Sequence, residues 1–349
     1  MSITKVAKRA GVSSSTVSRV INEYPRVAPE TVQSVQLAMK ELGYVPSDRR
    51  PGPKPLSRLR VEKKTIAFLV LGGSGDQATP AFVDLLRGVT MAASENNLEL
   101  MFQYVQDLNR LPENLDGDQL QGVLLHGSPP GRALEQRLRK IPTVWLMGNR
   151  RRPTWGDQVM PDAHQIGTLA ANYLVDQGHK NLAFLNLNAG HWPFRVYCQD
   201  FQAAAHERGV TVVALESRPV ESVSFWQRQG PRQVQEMIER FAALDPRPTG
   251  LFVADNMQLA AVQPALLAKG VKLGPGATQI ISCNNEAPFL VGLLPRPAVI
   301  DIRVESIGRR GIEQLLWRMG HLELPERLTL SVEPFLVTPE LELSVHHPV

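Results

Sequence analysis

The chain has only two cysteines, Cys198 and Cys283, among its 349 residues. They form neither a CxxC pair nor a metal-ligand spacing. That excludes a disulfide framework or a zinc module and fits two ordinary buried thiols in a reducing compartment. Long apolar stretches are missing too. No run approaches the roughly 18 residues a spanning helix needs, and no apolar signal region follows Met1, so the expectation is a soluble, cytoplasmic protein without a membrane partner. Catalytic patterns are equally scarce. Gly72-Gly73-Ser74-Gly75 follows an apolar run but has neither GxGxxG spacing nor a P-loop lysine, and reads as a loop. No serine sits in a GxSxG elbow, and the carboxylates beyond residue 64 form no paired constellation. His346 and His347 belong to a terminal tail, where fraying is a better account than metal binding. The chain is therefore expected to hold no catalytic residue, cofactor or metal, and not to be an enzyme.

What is present begins with charge. Residues 1–64 carry 13 Lys or Arg against 5 Asp or Glu, and the remainder carries 25 against 29, within an overall net charge of +4. A basic head on a mildly acidic body points to a polyanion as partner of the head alone. In that head Val6, Ala7 and Ala10 recur at helical spacing, Gly11 permits a tight turn, and Val17, Val20 and Ile21 resume the stripe after Ser13. Ser13 has the type and position of an N-cap, and Pro29 opens a third helix whose Val32, Val35, Met39 and Leu42 share one face. Three such helices can bury one small core. Left outside on the second helix are Ser14, Ser15, Thr16, Ser18, Arg19 and Asn22, a row of hydrogen-bonding side chains with one guanidinium. That is the chemistry of a recognition helix in a major groove, where arginine can grip guanine with two hydrogen bonds.

The run Val6-Ala7-Lys8-Arg9-Ala10-Gly11-Val12-Ser13, then Thr16-Val17-Ser18-Arg19-Val20-Ile21-Asn22, Pro29-Glu30-Thr31 and Glu41-Leu42-Gly43-Tyr44-Val45-Pro46, closely resembles the headpiece of the lactose-repressor (LacI) family of bacterial regulators. The resemblance implies a helix-turn-helix headpiece over residues 1–46 that binds double-stranded DNA, followed by a linker over 47–63. In the family that linker normally holds a short helix that wedges a leucine into the minor groove. Here Pro51, Pro53 and Pro55 disfavour a helix before Leu56, so this chain departs from the pattern. One reading is a shortened helix from Leu56 with Leu56 or Leu59 as the wedge. The favoured one is an extended arm in which Arg49, Arg50 and Lys54 lie in a narrow minor groove. A stiff, solvated spacer is the bland alternative.

From Thr65 onward the periodicity changes. Apolar runs at Thr65–Leu71, Leu98–Val105, Gly122–His126 and Thr143–Met147 are separated by helical patterns, including 132–139. The rhythm restarts after Asp162: helices at 164–177, 195–208, 231–243 and 257–269 are separated by strands at 181–187, 211–215, 250–253 and 279–283. Such alternation predicts two doubly wound parallel-sheet lobes. Thr79 to Gly88, Asp162 with Ile166-Gly167, Leu174 to Lys180 and Ser306 to Gly311 resemble the same family's effector domain, more loosely than the head does. The implied whole is an all-α helix-turn-helix headpiece plus an α/β periplasmic-binding-protein-like effector domain over 64–349. The chain would cross between lobes three times, with lobe 1 at about 64–161 plus 294–324 and lobe 2 at about 162–293 plus 325–349. A homodimer on a pseudo-palindromic operator and a small-molecule effector between the lobes are implied with it.

For the effector site the resemblance points to Phe82, His191, Tyr197, Asp255, Asn284 and Phe225 or Trp226, with Pro193 and Ala254 alongside. Sugar-binding members usually carry arginine where Tyr197 falls, asparagine where Ala254 falls and aspartate where Asn284 falls. The lining inferred here is more aromatic and less charged. Trp192 adds a ring, and Arg195 is a candidate for the missing guanidinium. The expected ligand is small and neutral, a carbohydrate by preference. The whole reads as a transcriptional regulator, most simply a repressor. A cytoplasmic sugar-binding protein and an α/β enzyme are the alternatives, and neither accounts for the basic head.

Overall fold

A computed structural model of the chain describes residues 3–22, 24, 27–44, 64–72, 79–110, 112, 115, 120–148, 155–218 and 223–339, the backbone alone at 223–229. The chain divides into two compact units, Met1–Glu62 and Lys63–Val349.

The first unit contains α1 (Ile3–Ala10), α2 (Ser14–Ile21) and α3 (Pro29–Glu41). Val6, Ala7, Val17, Val35 and Ala38 are buried between them, and Val20, Ile21, Met39, Leu42 and Tyr44 close the rim. Gly11 makes the turn after α1 with φ +70, a conformation that a side chain would strain although space is open around it. Pro29 occupies the first turn of α3, where its missing N–H costs nothing.

The second unit is built on two six-stranded sheets. The first uses β1 (Thr65–Leu71), β2 (Glu99–Val105), β3 (Gly122–Gly127), β4 (Thr143–Leu146), β5 (Asp157–Pro161) and β11 (Thr329–Val332), in the order β11-β5-β4-β3-β1-β2, all parallel. The second uses β6 (Asn181–Asn186), β7 (Thr211–Glu216), β8 (Gly250–Val253), β9 (Gln279–Cys283), β10 (Ala298–Asp301) and β12 (Phe335–Val337), in the order β12-β10-β9-β8-β6-β7, with only β12 antiparallel. Between the strands run α4 (Pro80–Glu95), α5 (Arg132–Leu138), α6 (Ala163–Asp176), α7 (Trp192–Glu207), α8 (Val223–Ala242), α9 (Asn256–Ala268), the short α10 (Ala287–Leu290) and α11 (Val304–Gly320).

The unbroken apolar runs of the central strands follow from burial on both faces. Ile66, Phe68 and Val70 of β1 join one core, while Ala67, Leu69 and Leu71 join another on the opposite face. In β6, Leu182 and Phe184 divide from Ala183 and Leu185 in the same way.

Among the described residues the chain passes between sheets three times, after β5, after β10 and between β11 and β12. The second and third passages fall later than the lobe boundaries expected from sequence. Residues 298–301 extend sheet two as the parallel neighbour of β9, so 294–301 belong to lobe 2 rather than lobe 1. Thr329–Val332 pairs with β5 and so returns to lobe 1, not lobe 2. Helix α8 also begins earlier than its predicted start at Pro231, which lies inside the helix; a proline removes one donor there without forbidding the helix. The strands β5, β10, β11 and β12 and the short α10 carried no clear signal, since they are brief and, in β5, polar.

Candidate functional site

On the first unit the exposed face of α2 is held by its own caps. The Ser13 Oγ accepts from Thr16 N–H at 3.2 Å and lies 2.8 Å from Ser15 Oγ and 2.9 Å from Thr16 Oγ1. At the other end Asn22 Nδ2 donates to Ser18 O at 2.7 Å, fixing the C-cap. Val17 is turned wholly inward. Ser14, Ser15, Arg19 and Asn22 are therefore exposed, with Thr16 and Ser18 partly so. Lys5, Lys8 and Arg9 of α1 are exposed as well, and Arg9 is tied to Glu41 at 2.7 Å. A rigid helix with hydroxyls at its N-terminal end and one exposed guanidinium can enter a groove and offer hydrogen bonds to base edges. The linker residues Arg49, Arg50, Lys54, Leu56 and Leu59 lie outside the described residues.

In the second unit the candidate site is the place where the lobes touch, Glu286 after β9 meeting Ala81 at the start of α4, beyond the carboxyl ends of strands as ligand sites on open parallel sheets generally are. From sheet one comes an aromatic group around Phe82, the first-turn ring of α4. It packs on Phe68, Phe102, Tyr104 and His126, with centroids 5.7 to 6.5 Å away. His126 is fixed by a 3.0 Å contact from its Nδ1 to Leu146 O.

Sheet two supplies the other wall. His191 packs tilted against Phe194 with centroids 4.3 Å apart, and burial pushes its imidazole down to about 4, so it is neutral at physiological pH. Tyr197 is buried against Phe194 and Phe252, and its phenol, hydrogen-bonded to Cys283, is held well above the usual tyrosine range, chiefly by burial. Burial likewise pushes the Cys198 thiol up to about 12 and raises Cys283, so neither is a ready nucleophile. Trp192 packs partly buried on the same core. Asp255 caps α9: its Oδ1 accepts from Gln258 N–H at 2.7 Å and its Oδ2 from Gln258 Nε2 at 3.1 Å. Its carboxyl is nonetheless raised by burial. Asn284 adopts φ 94 just after β9 and turns its Nδ2 to Glu286 Oε2 at 3.3 Å.

The expected residues are thus only partly gathered. Phe82, Trp192 and Tyr197 share one apolar cluster, His191 lies against Phe194, and Asp255 and Asn284 lie beside Glu286. Arg195 is exposed on α7, where the helical turn sets it on the opposite side from the buried Phe194 and Tyr197. Phe225 and Trp226 fall within α8, in the stretch described by backbone alone.

Sequence reasoning missed Glu286, whose backbone N–H donates to Asn256 Oδ1 at 2.8 Å. Only 5% exposed, it spans the two lobes by accepting the N–H of Ala81 on Oε1 at 3.1 Å. Burial, with Asp255 as its charged neighbour, pushes its carboxyl up to about 7. The signal that could have found it is position: it lies three residues beyond the carboxyl end of the parallel strand β9, where ligands of open parallel sheets generally bind. Among the described residues no group of three His, Cys, Asp or Glu is arranged to hold a metal ion, and no helix is long and apolar enough to cross a membrane.

Residues 2–47 match the family described as bacterial regulatory proteins, lacI family, and residues 171–338 match the periplasmic binding protein-like domain. The chain is 28% identical over 348 residues to the HTH-type transcriptional repressor PurR of Mannheimia succiniciproducens, covering 96% of each chain. It is 31% identical over 218 residues to the ribose operon repressor of Escherichia coli K12, covering 59% of this chain and 62% of that one. Among solved structures it resembles a transcriptional regulator CelR–cellobiose complex with TM-score 0.63 at 24% identity, covering 97% of this chain and 98% of that one. It resembles the lac repressor dimer bound to operator and the anti-inducer ONPF with TM-score 0.61 at 18% identity and the same coverage. At those identities the structures speak for the fold.

Proposed function

The chain belongs to the lacI family of bacterial regulatory proteins, and from that premise we propose that it is a transcriptional repressor whose hold on DNA is set by a small molecule bound between its lobes. The relatives are transcriptional regulators, not enzymes. The observation that carries the DNA reading is α2: Ser13 caps it, Val17 anchors it, and Ser14, Ser15 and Arg19 are left exposed on a basic head.

Two copies of the chain would present two such helices to a pseudo-palindromic operator, since a two-fold protein matches a two-fold site. An effector that prefers one closure angle of the lobes then shifts the dimer between head spacings that fit the operator and spacings that do not. The relatives named for the ribose operon and for cellobiose support a carbohydrate as effector, as do the aromatic rings of Phe82, Trp192 and Tyr197, which share one apolar cluster. In the linker, Arg49, Arg50 and Lys54 are proposed as an extended minor-groove arm.

The test is a gel shift with the full chain on genomic fragments, repeated with cellobiose and ribose. Specific retention that changes with a sugar supports the reading. Retention of no fragment at low salt overturns the DNA reading, and a metabolite screen answered only by anions overturns the carbohydrate. Alanine at Arg49, Arg50 and Lys54 together should flatten the salt dependence of binding, and an unchanged slope removes the arm.

A further inference from the structure

The first turn of α4 leaves one amide to be satisfied from elsewhere. Thr79 caps the helix, its Oγ1 accepting Phe82 N–H at 3.2 Å and its carbonyl accepting Val83 N–H at 3.2 Å. Pro80 has no N–H to offer. The donor left over is Ala81, and its partner comes from the other lobe, 205 residues away, as Glu286 Oε1 at 3.1 Å. The other carboxylate oxygen takes Asn284 Nδ2 at 3.3 Å, and the Glu286 backbone is clamped by Asn256. Every described partner of this side chain is a donor, and the charged groups facing it, Asp255 at the cap of α9 and Asp84 on α4, are both acidic.

A buried carboxylate at a helix N-terminus is favoured by the helix dipole and disfavoured by desolvation and by its acidic neighbours. Its bond across the lobes is to a single backbone N–H, a donor that a ligand hydroxyl or amine can replace. We propose that Glu286 is the switch residue of the effector crevice. It straps lobe 2 to the N-terminus of α4 in lobe 1, and an effector works by offering hydroxyl or amine donors that take the place of Ala81. This rests on the reading of the interlobe junction as the effector site. It deepens that reading by making donor-rich molecules the ligand class and Glu286 their acceptor.

The strap is tested by hydrogen–deuterium exchange on the full chain, comparing wild type, Glu286→Ala and Glu286→Gln. Glutamine keeps an acceptor oxygen for Ala81 and alanine does not. Exchange over 79–83 should rise about tenfold or more in Glu286→Ala and return most of the way toward wild type in Glu286→Gln, as expected for one local opening. Operator affinity of Glu286→Ala should move by about fivefold or more, a shift within the usual range of allosteric coupling, with the head unaltered. Unchanged exchange over 79–83 overturns the proposal, and so does an even rise across 64–339, which would mark general loosening. Exchange is read without sugar or operator. A negative sugar panel therefore leaves this result standing, and loss of the strap leaves DNA binding standing.

Discussion

Gly308 lies against Gly88 where α11 crosses α4, so close that a β-carbon on Gly308 would sit 3.1 Å from the carbonyl carbon of Gly88 and run into the carbonyl oxygen of Leu85. A β-carbon on Gly88 would meet the carbonyl oxygen of Glu305. The two helices touch backbone to backbone, which only paired glycines permit. Gly88→Ala should therefore force α4 and α11 apart and destabilise the second unit by about 1–3 kcal/mol, the usual range for overpacking. Thermal unfolding measures it, and a variant as stable as wild type would show that the crossing can relax.

Arg19→Ala removes the one exposed guanidinium of α2 without touching Val17 or the Ser13 cap. Loss of one bidentate base contact should weaken specific operator binding by about 1–3 kcal/mol and leave the fold of the head intact. Fluorescence anisotropy beside circular dichroism separates the two effects. Equal affinity for operator and scrambled duplex in the variant is the expected limit.

Asp157 and Arg318 form a pair that burial makes consequential. Arg318 Nη2 meets Asp157 Oδ1 at 2.8 Å and its Nε meets Oδ2 at 2.9 Å, while Gln314 Nε2 and Leu328 N–H complete the carboxylate's partners at 2.7 and 2.9 Å. The side chains are 12% and 1% exposed. Arg318→Ala leaves the Asp157 carboxylate buried without its cation and should cost about 3–5 kcal/mol. Asp157→Asn in the same background should recover part of that loss, and a double-mutant cycle in urea reads the coupling.

Glu286 and His191 titrate in opposite senses. The folded chain raises Glu286 from 4.5 to about 7, so its contribution to stability is complete below 4.5 and is lost as pH rises through 7. His191 is lowered from 6.5 to about 4, so its contribution is complete above 6.5 and is lost as pH falls toward 4. Glu286→Gln should therefore gain on wild type in melting temperature between pH 5 and pH 8. His191→Phe should gain on it between pH 7 and pH 4.5. A Glu286→Gln difference that stays flat across that range would show the carboxylate to be solvated.

The head was legible almost residue by residue because its signals are local: a glycine turn, a serine cap, a proline at a helix start, and an apolar stripe through Val17, Val20 and Ile21. The central strands were legible for a related reason, since burial on both faces leaves no polar residue in β1 after Thr65. What escaped depends on partners distant in sequence. The strand β5 begins Asp157-Gln158, polar to the eye, and is buried only because Arg318, Gln314 and Leu328 come to meet the aspartate. Glu286 looks like a surface residue until α4 is brought over it. Arg195 shows the converse: adjacent in sequence to the buried Phe194, it is turned by the helix to the exposed side.

Between Val332, the last residue of β11, and Phe335, the first of β12, only Glu333 and Pro334 intervene. Three peptide steps reach at most about 11 Å, so at this edge the lobes cannot come apart. Any movement of one lobe against the other must therefore pivot at that short tether.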